Sequence, residues 1–408
     1  MVWIINDVLM SIRFVGLLLL AALLLADAAA ALAQEPESRA AELAAQQEQK
    51  AQSLAPYRRG WVERKLLAIE DAGGFGAGRG FIVTSGDIKR GSGASLGPAY
   101  GQVFKNGTLF QAKAVFSVRN AKVVQASVQA PQFFNHRLAV AARVRWQDAP
   151  NVVFHGLAPG VEPIGAWYDE TQSELSAIAA YRPVRRLRFE AGTGLQRFET
   201  SVADKTGLIG AGLFVGVPGV GADPDYLHSF GSAAIDSRDH EGYSRHGSLL
   251  RATIHDFNQQ NTGAYSFRRF DGAAEQYVPI LSSNWVLYFG LHASTTQTDS
   301  GNSVPHFLLP DLGGSDLRGF GNYRFVDRHS LAVTAEYRWY AQEYLDGAIF
   351  YDAGKAVAER SQLDFSRLNH SYGAGIRLHG PRTTLLRIDV ARSREGTRLI
   401  LAFSPVGG

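Results

Sequence analysis

Cysteine is absent from this chain of 408 residues. That excludes a disulfide framework, a thiol nucleophile and any thiolate-held metal. Long apolar runs are scarce: Phe14 to Ala26 is one, and no other segment approaches the roughly eighteen consecutive apolar residues that read as a membrane-spanning helix. An excess of charge of one sign is lacking too. Lys and Arg number 41 against 38 Asp and Glu, for a formal net charge of +3, and the basic residues are dispersed rather than gathered on one motif. A nucleic-acid-binding face is therefore not expected. Catalytic patterns are equally thin. His228, His240, His246 and His255 lie among Ser229, Ser232, Ser237 and Ser244, but no Gly-x-Ser-x-Gly elbow accompanies them. Asp223, Asp225 and His228 match no metal-site spacing, and the glycine-rich run from Gly207 to Gly221 lacks the strand-then-helix context of a phosphate loop. That run reads as a barrel loop or short plug. No cofactor and no metal are expected, and the chain is not expected to be an enzyme.

What is present begins with an export signal. Arg13 supplies the positive charge, Phe14 to Ala26 the apolar run, and Ala31-Leu-Ala33 a small-x-small cleavage site before Gln34, so residues 1–33 read as a signal peptide. Its removal takes away Arg13, Asp7 and Asp27 and moves the net charge from +3 to +4. Residues 34–78 read as a polar periplasmic leader. Arg58, Arg59, Trp61, Arg64 and Lys65 precede Leu66-Leu-Ala-Ile69, a short amphipathic helix. The leader has too little apolar content for a receptor domain with its own core. An exported chain without a spanning helix belongs in the periplasm, outside the cell, or in the outer membrane as a barrel.

Alternation is common to a barrel and a soluble two-layer sheet; charge on nearly every second residue over many segments, with aromatics near their ends, tilts the reading to the barrel. Leu138, Val140, Ala142, Val144 and Trp146 alternate with Arg143, Arg145 and Gln147; Leu187, Phe189, Ala191 and Leu195 alternate with Arg188, Glu190 and Gln196. Successive side chains of a strand point to opposite faces, so each such segment has an apolar and a wet face, and about ten residues cross a membrane. Trp146, Tyr181, Trp285 and Trp339 fall near expected strand ends, where aromatic girdles sit. A hydrophobic content of 46%, 43 glycines and a mean hydropathy near zero suit a wall that is apolar outside and polar inside. Eleven segments are expected at about 79–86, 94–103, 108–119, 122–131, 137–147, 173–182, 187–197, 225–236, 247–258, 264–276 and 285–297. Five more follow at about 330–341, 346–354, 371–379, 384–392 and 397–404. The fold class is all-β, a 16-stranded antiparallel transmembrane β-barrel of outer-membrane type over residues 79–408. The last strand offers Leu399, Leu401 and Phe403 to lipid, although the chain runs on through Ser404-Pro-Val-Gly-Gly408 where such barrels usually finish on an aromatic residue.

Between the eleventh and twelfth segments lies Asp311-Leu-Gly-Gly-Ser-Asp-Leu-Arg-Gly-Phe320, a glycine-rich loop with one reaching arginine. Facing supplies its partners. If Leu331, Val333, Ala335, Tyr337 and Trp339 meet lipid, then Glu336 and Arg338 point inward; if Ile349 and Tyr351 meet lipid, Phe350 and Asp352 point inward. A guanidinium fork from Arg318 to Asp352, with Glu336 nearby, then pins the loop in the lumen. Gly319 lets the tip press against the wall, and Phe320 is an anchor beside it. Asp236, Arg238 and Asp239, before Arg245-His-Gly247, read as a local hairpin charge network.

Leu317-Arg318-Gly319-Phe320 behind Leu-Gly-Gly-Ser resembles the signature loop of the Omp85 superfamily, the bacterial surface antigen or D15-type barrels. Asp236-Ser-Arg-Asp239 with Gly247, Ala335-Glu-Tyr-Arg338, Phe350-Tyr-Asp-Ala-Gly354 and Tyr372-Gly-Ala-Gly-Ile-Arg377 resemble further family segments, in order, over residues 75–408. The resemblance implies the same partner for Arg318, Asp352. It implies insertion of barrel proteins, or passage of polypeptide or lipid across the outer membrane, with outer-membrane lipids, unfolded outer-membrane proteins or a separate periplasmic protein as partners, here as a monomeric barrel without the family's periplasmic POTRA modules. The rival expectations are a passive porin-like channel and an outer-membrane lipid hydrolase.

Overall fold

Strands built of alternating residues form a ladder wherever one face finds lipid and the other finds water or packed side chains. The computed structural model describes residues 80–157 and 165–403; the expected signal (1–33), the leader (34–78) and the tail 404–408 lie outside them. The strands are β1 (Gly80–Thr84), β2 (Ser95–Val103), β3 (Leu109–Ser117), β4 (Lys122–Phe133), β5 (Leu138–Phe154), β6 (Ala166–Val184), β7 (Leu187–Val202), β8 (Asp225–Asp236) and β9 (Gly247–Gln259). They continue with β10 (Phe267–Ile280), β11 (Ser282–Thr298), β12 (Asp311–Leu312), β13 (Phe325–Val326), β14 (His329–Gln342), β15 (Leu345–Val357), β16 (Asn369–His379), β17 (Thr384–Ser393) and β18 (Gly396–Phe403). Sixteen of them pair antiparallel in chain order into one sheet, β11 passing directly to β14, while β12 and β13 form a separate two-residue hairpin. Together they are a 16-stranded antiparallel transmembrane β-barrel, with both the first and the last strand opening to the same end, here termed the terminal end.

The outer face is apolar around the circumference. Val144, Leu175, Leu195, Ile254, Phe289, Ile349 and Leu399 are all exposed there. Leu331 stands apart: it is buried, although its alternation had set it toward lipid. The wall is also taller on one side than alternation implies. β5, β6 and β7 run on to Phe154, begin at Ala166 and run on to Val202, beyond the expected 147, 173 and 197. Trp146 therefore sits mid-strand and not at the expected strand end, although it still borders the apolar belt. Past Trp146 the outward residues are mixed, Asp148 and Asp169 alongside Val153 and Trp167, and alternation stops reporting the strand although the ladder to β6 continues. The inward residues of these extensions, Val152, Phe154, Ala166 and Tyr168, pack with Phe214 of the β7–β8 loop.

Candidate functional site: the signature loop in the lumen

Residues 299–328 join β11 to β14 and fold back into the barrel. The hairpin of β12 and β13 gives this segment a stem, with Asp311 opposite Val326 and Leu312 opposite Phe325. Leu317 and Phe320 at its tip are buried with Leu312, Phe325, Ala332 and Ala356. The Phe320 and Phe325 rings meet edge to face at 5.1 Å. This small core holds the tip so that one side chain points down onto the wall.

That side chain is Arg318, which is 2% exposed. Its Nε donates to Asp352 Oδ2 at 2.7 Å, its Nη2 to Asp352 Oδ1 at 2.8 Å, and its backbone N–H to Asp352 Oδ2 at 3.2 Å. Nη1 donates to Glu336 Oε2 at 2.7 Å and reaches Asp389 Oδ2 at 3.4 Å. The guanidinium carbon lies 3.4 Å from the centroid of the Phe350 ring. A planar five-donor cation is the side chain that can fork one carboxylate, reach a second and stack on an aromatic face at once.

The acids are shared. Arg377 Nη2 donates to Glu336 Oε2 at 2.9 Å and its Nη1 to Asp389; Arg338 Nε donates to Glu336 Oε1 at 2.7 Å. Arg387 Nε lies 3.2 Å from Asp389 Oδ2, close enough for an ion pair without the alignment of a hydrogen bond. Arg318, Arg338, Arg377 and Arg387 thus face Glu336, Asp352 and Asp389, for a formal charge of +1 across the cluster. Facing alone had placed Glu336 and Asp352 in the lumen. Facing had also placed Phe350 inward, without its stacking under Arg318; Asp389, Arg377 and Arg387 were missed, although Asp389 and Arg387 share the inward parity of the strand at 384–392.

Gly319 is required at the tip. Its φ is +90°, and a Cβ would lie 3.0 Å from the Ser371 Cβ and 3.2 Å from the Ser393 Cβ. Ser393 Oγ donates to its carbonyl at 2.7 Å. The stem has its own ties. Arg90 in the β1–β2 loop pairs with Asp311 and Asp316 and lies over the Tyr323 ring; Arg324 pairs with Glu395 in the β17–β18 turn.

Beneath the loop lies a cavity of about 670 Å³ lined by Arg251, Tyr288, Arg318, Glu336, Arg338 and their neighbours. Above the loop, Phe154, Tyr168 and Phe214 surround His306 at ring-centroid distances of 4.8–5.8 Å. The His306 Nδ1 contacts the Pro218 carbonyl at 3.2 Å, and burial pushes the imidazole down to about 4. The run from Gly207 to Gly221 is thus part of a roof over the loop.

The hairpin motif is elsewhere, at the terminal end. Arg238 forks Asp236 at 3.0 and 2.9 Å and reaches Glu275 Oε2 at 3.2 Å. Asp239 accepts the backbone N–H of Arg245 at 3.0 Å. Gly247 has φ +98°, and a Cβ there would lie 2.3 Å from the Ser237 carbonyl oxygen. The four serines near the histidines are engaged without an imidazole: Ser229 with Thr193 on the outer face, Ser232 with Thr253, Ser237 with Ser248, and Ser244 with the His240 carbonyl. Among the described residues no group of three His, Asp or Glu side chains is arranged to hold a metal.

The Omp85 superfamily domain matches residues 103–399. Two solved barrels share the fold. BamA from Haemophilus ducreyi lacking POTRA domains 1–3 is similar with a TM-score of 0.61 at 13% identity, covering 78% of this chain and 67% of that one. CdiB from Escherichia coli is similar with a TM-score of 0.50 at 12% identity over 80% of this chain, which spans only 60% of the CdiB chain. No curated protein sequence matches.

Proposed function

The chain belongs to the Omp85 superfamily, and from that premise we propose that this outer-membrane barrel inserts or translocates polypeptide at the outer membrane through the seam between β1 and β18, with the Arg318 loop as the internal brace of the wall beside that seam. The observation that carries the reading is the loop tip bound to β14, β15 and β17 by one arginine on three acids. The seam strand is short: β1 is five residues long and pairs with β2, while β18 pairs with β17. Opening of the seam exposes strand edges that template an incoming strand.

Orientation follows from loop length. In outer-membrane barrels the short turns face the periplasm and the long loops face out, which puts the terminal end in the periplasm and the roof outside. A separate periplasmic protein or the barrel's own periplasmic mouth is our proposed point of substrate capture. A passive porin is disfavoured because the loop and its ion pairs occupy the lumen. A lipid hydrolase is disfavoured by the partners of the four serines.

The test is insertion. Liposomes carrying the purified chain are mixed with a urea-unfolded outer-membrane barrel protein, and its folding is followed by heat-modifiable migration. At least a several-fold acceleration over empty liposomes is expected, and Arg318→Ala is expected to lose most of it. Folding no faster than with an equal amount of an unrelated porin, together with a large steady conductance, would leave the passive channel in its place.

A further inference from the structure

Residues 237–246, the longest of the terminal-end turns, reach beyond their own strands. Gly242 bridges Thr383, and the Thr384 N–H donates to the Gly242 carbonyl at 3.0 Å. The Tyr243 ring stacks on His379 with centroids 3.9 Å apart and planes 14° apart. Its hydroxyl donates to Asp346 Oδ2 at 2.6 Å and lies 3.0 Å from His379 Nε2. Arg245 Nη2 adds bonds to both oxygens of Asp346, at 2.9 and 3.0 Å. Asp346 is 1% exposed.

These partners belong to β15, to the end of β16 and to the β16–β17 turn with the first residue of β17, and in the sheet β10, β11 and β14 stand between β9 and β15. A turn that skips three strands does not follow the wall; it crosses the mouth. Glu241, Gly242 and Ser244 accordingly line the same cavity as Arg318 and Glu336. The lumen is bounded from one end by the signature loop and from the other by this turn. The contrast within the turn is informative. Its base is fixed by the Arg238 fork and the Asp239 cap, which are local, whereas its distal contacts are one backbone bond, from the Thr384 N–H to the Gly242 carbonyl, and two side chains, Tyr243 and Arg245, meeting one acid and one imidazole.

We propose that the β8–β9 turn is a gate on the terminal mouth of the lumen, latched shut by Tyr243 and Arg245 on Asp346 and His379, so that a polar solute or chain enters the cavity from that side only when the latch releases. The fixed base makes the turn swing as a unit, and five hydrogen bonds, four from the latch side chains and one at the Gly242 carbonyl, are lost with one ring stack when it does. The gate goes beyond the insertion reading and stands or falls without any substrate, since its readout is access to the cavity.

The absence of native cysteine makes the test clean. Thr334 lines the cavity, and Thr334→Cys in the purified full chain is labelled with a charged methanethiosulfonate reagent. Adding Tyr243→Ala is expected to raise the labelling rate at least tenfold, with the folded band retained on a heat-modifiability gel. A lock that removes no latch contact keeps the test independent of misfolding: Gly242→Cys with Thr383→Cys, positions paired in a β-bridge and so within disulfide reach, is expected to slow labelling when oxidised and restore it when reduced. Equal labelling in the latched, unlatched and locked proteins would overturn the gate, as would labelling of the locked protein as fast as that of its reduced form.

Discussion

Two closures meet at the signature loop and are made of opposite materials. The tip below is held by charge, with Arg318, Glu336, Asp352 and Asp389 all buried to 4% exposure or less. The roof above is held by rings and aliphatic groups, with Phe154, Tyr168 and Phe214 packed around a histidine and Ile88, Leu157, Leu213, Phe307 and Tyr323 at the edges. An ionic closure is specific and brittle, because removing one partner strands a desolvated charge. An apolar closure is graded, because each lost group subtracts its own area and contacts. The tip is therefore expected to fail all at once and the roof by degrees.

Arg318→Ala breaks the comparison most severely. It leaves Glu336, Asp352 and Asp389 facing fewer cations, at a cost of about 3–5 kcal/mol. In planar bilayers the wild type is expected to conduct weakly and in fluctuating steps, and Arg318→Ala strongly and steadily. Arg318→Lys is expected to behave nearly as badly, because a point charge cannot fork Asp352 and reach Glu336 together. A lysine variant with wild-type conductance would mean that charge alone, not the fork, holds the tip.

Phe214→Ala strikes the roof. Deleting a buried phenylalanine ring costs about 3 kcal/mol, here spent locally. Trypsin is expected to cut after Lys205 several-fold faster while the conductance and the unfolding temperature of the wall stay as they were. Loss of the barrel's heat-modifiable band would show that the roof supports the wall and that the two closures are not separable.

The two closures also differ in how far the sequence reports them. The sixteen wall strands are legible because alternation is imposed locally by lipid on one side and water on the other, and all sixteen appear in order. The extensions of β5 to β7 escape notice because above the membrane belt their outward residues are no longer uniformly apolar, Asp148 and Asp169 standing beside Val153 and Trp167. Facing takes the reader as far as Arg318, Glu336 and Asp352, since a lone arginine in a glycine-rich loop and inward acids on the next two strands are both local patterns. Arg377, Arg387 and Asp389 are not distinguishable from other inward charges by parity. Phe214 against Phe154 and His306, and Tyr243 against His379, join loops and turns far apart in the chain and leave no periodic trace.

Acidification sharpens the contrast through His306. Its ordinary value of 6.5 is pushed down to about 4 by burial, so the folded roof resists a proton that the opened roof accepts. Stability from this group is complete above pH 6.5 and is lost as the pH falls from 6.5 toward 4. At pH 5 the loss is about 2 kcal/mol. Hydrogen exchange over residues 203–224, corrected for intrinsic rates, is expected to speed up between pH 7 and pH 5, and His306→Phe is expected to remove that dependence. Dependence that persists in the variant would place the titrating group elsewhere.

The smallest effect should come from Arg90, and it is the one that tests whether charge as such makes a closure brittle. Arg90 pairs with Asp311 and Asp316 as Arg318 pairs with Glu336 and Asp352, but its side chain is 36% exposed and Asp316 is 47% exposed. Only Asp311, at 18% exposure, is held largely from water, and the rest of the charge is shared with solvent before and after the pair breaks, so Arg90→Ala is expected to cost about 1 kcal/mol and to diminish further in high salt. Conductance of this variant should therefore stay low and fluctuating where that of Arg318→Ala is large and steady. If Arg90→Ala opened the lumen as fully, burial would not be what separates the two arginines, and the stem rather than the tip would be the part of the loop that holds it in place.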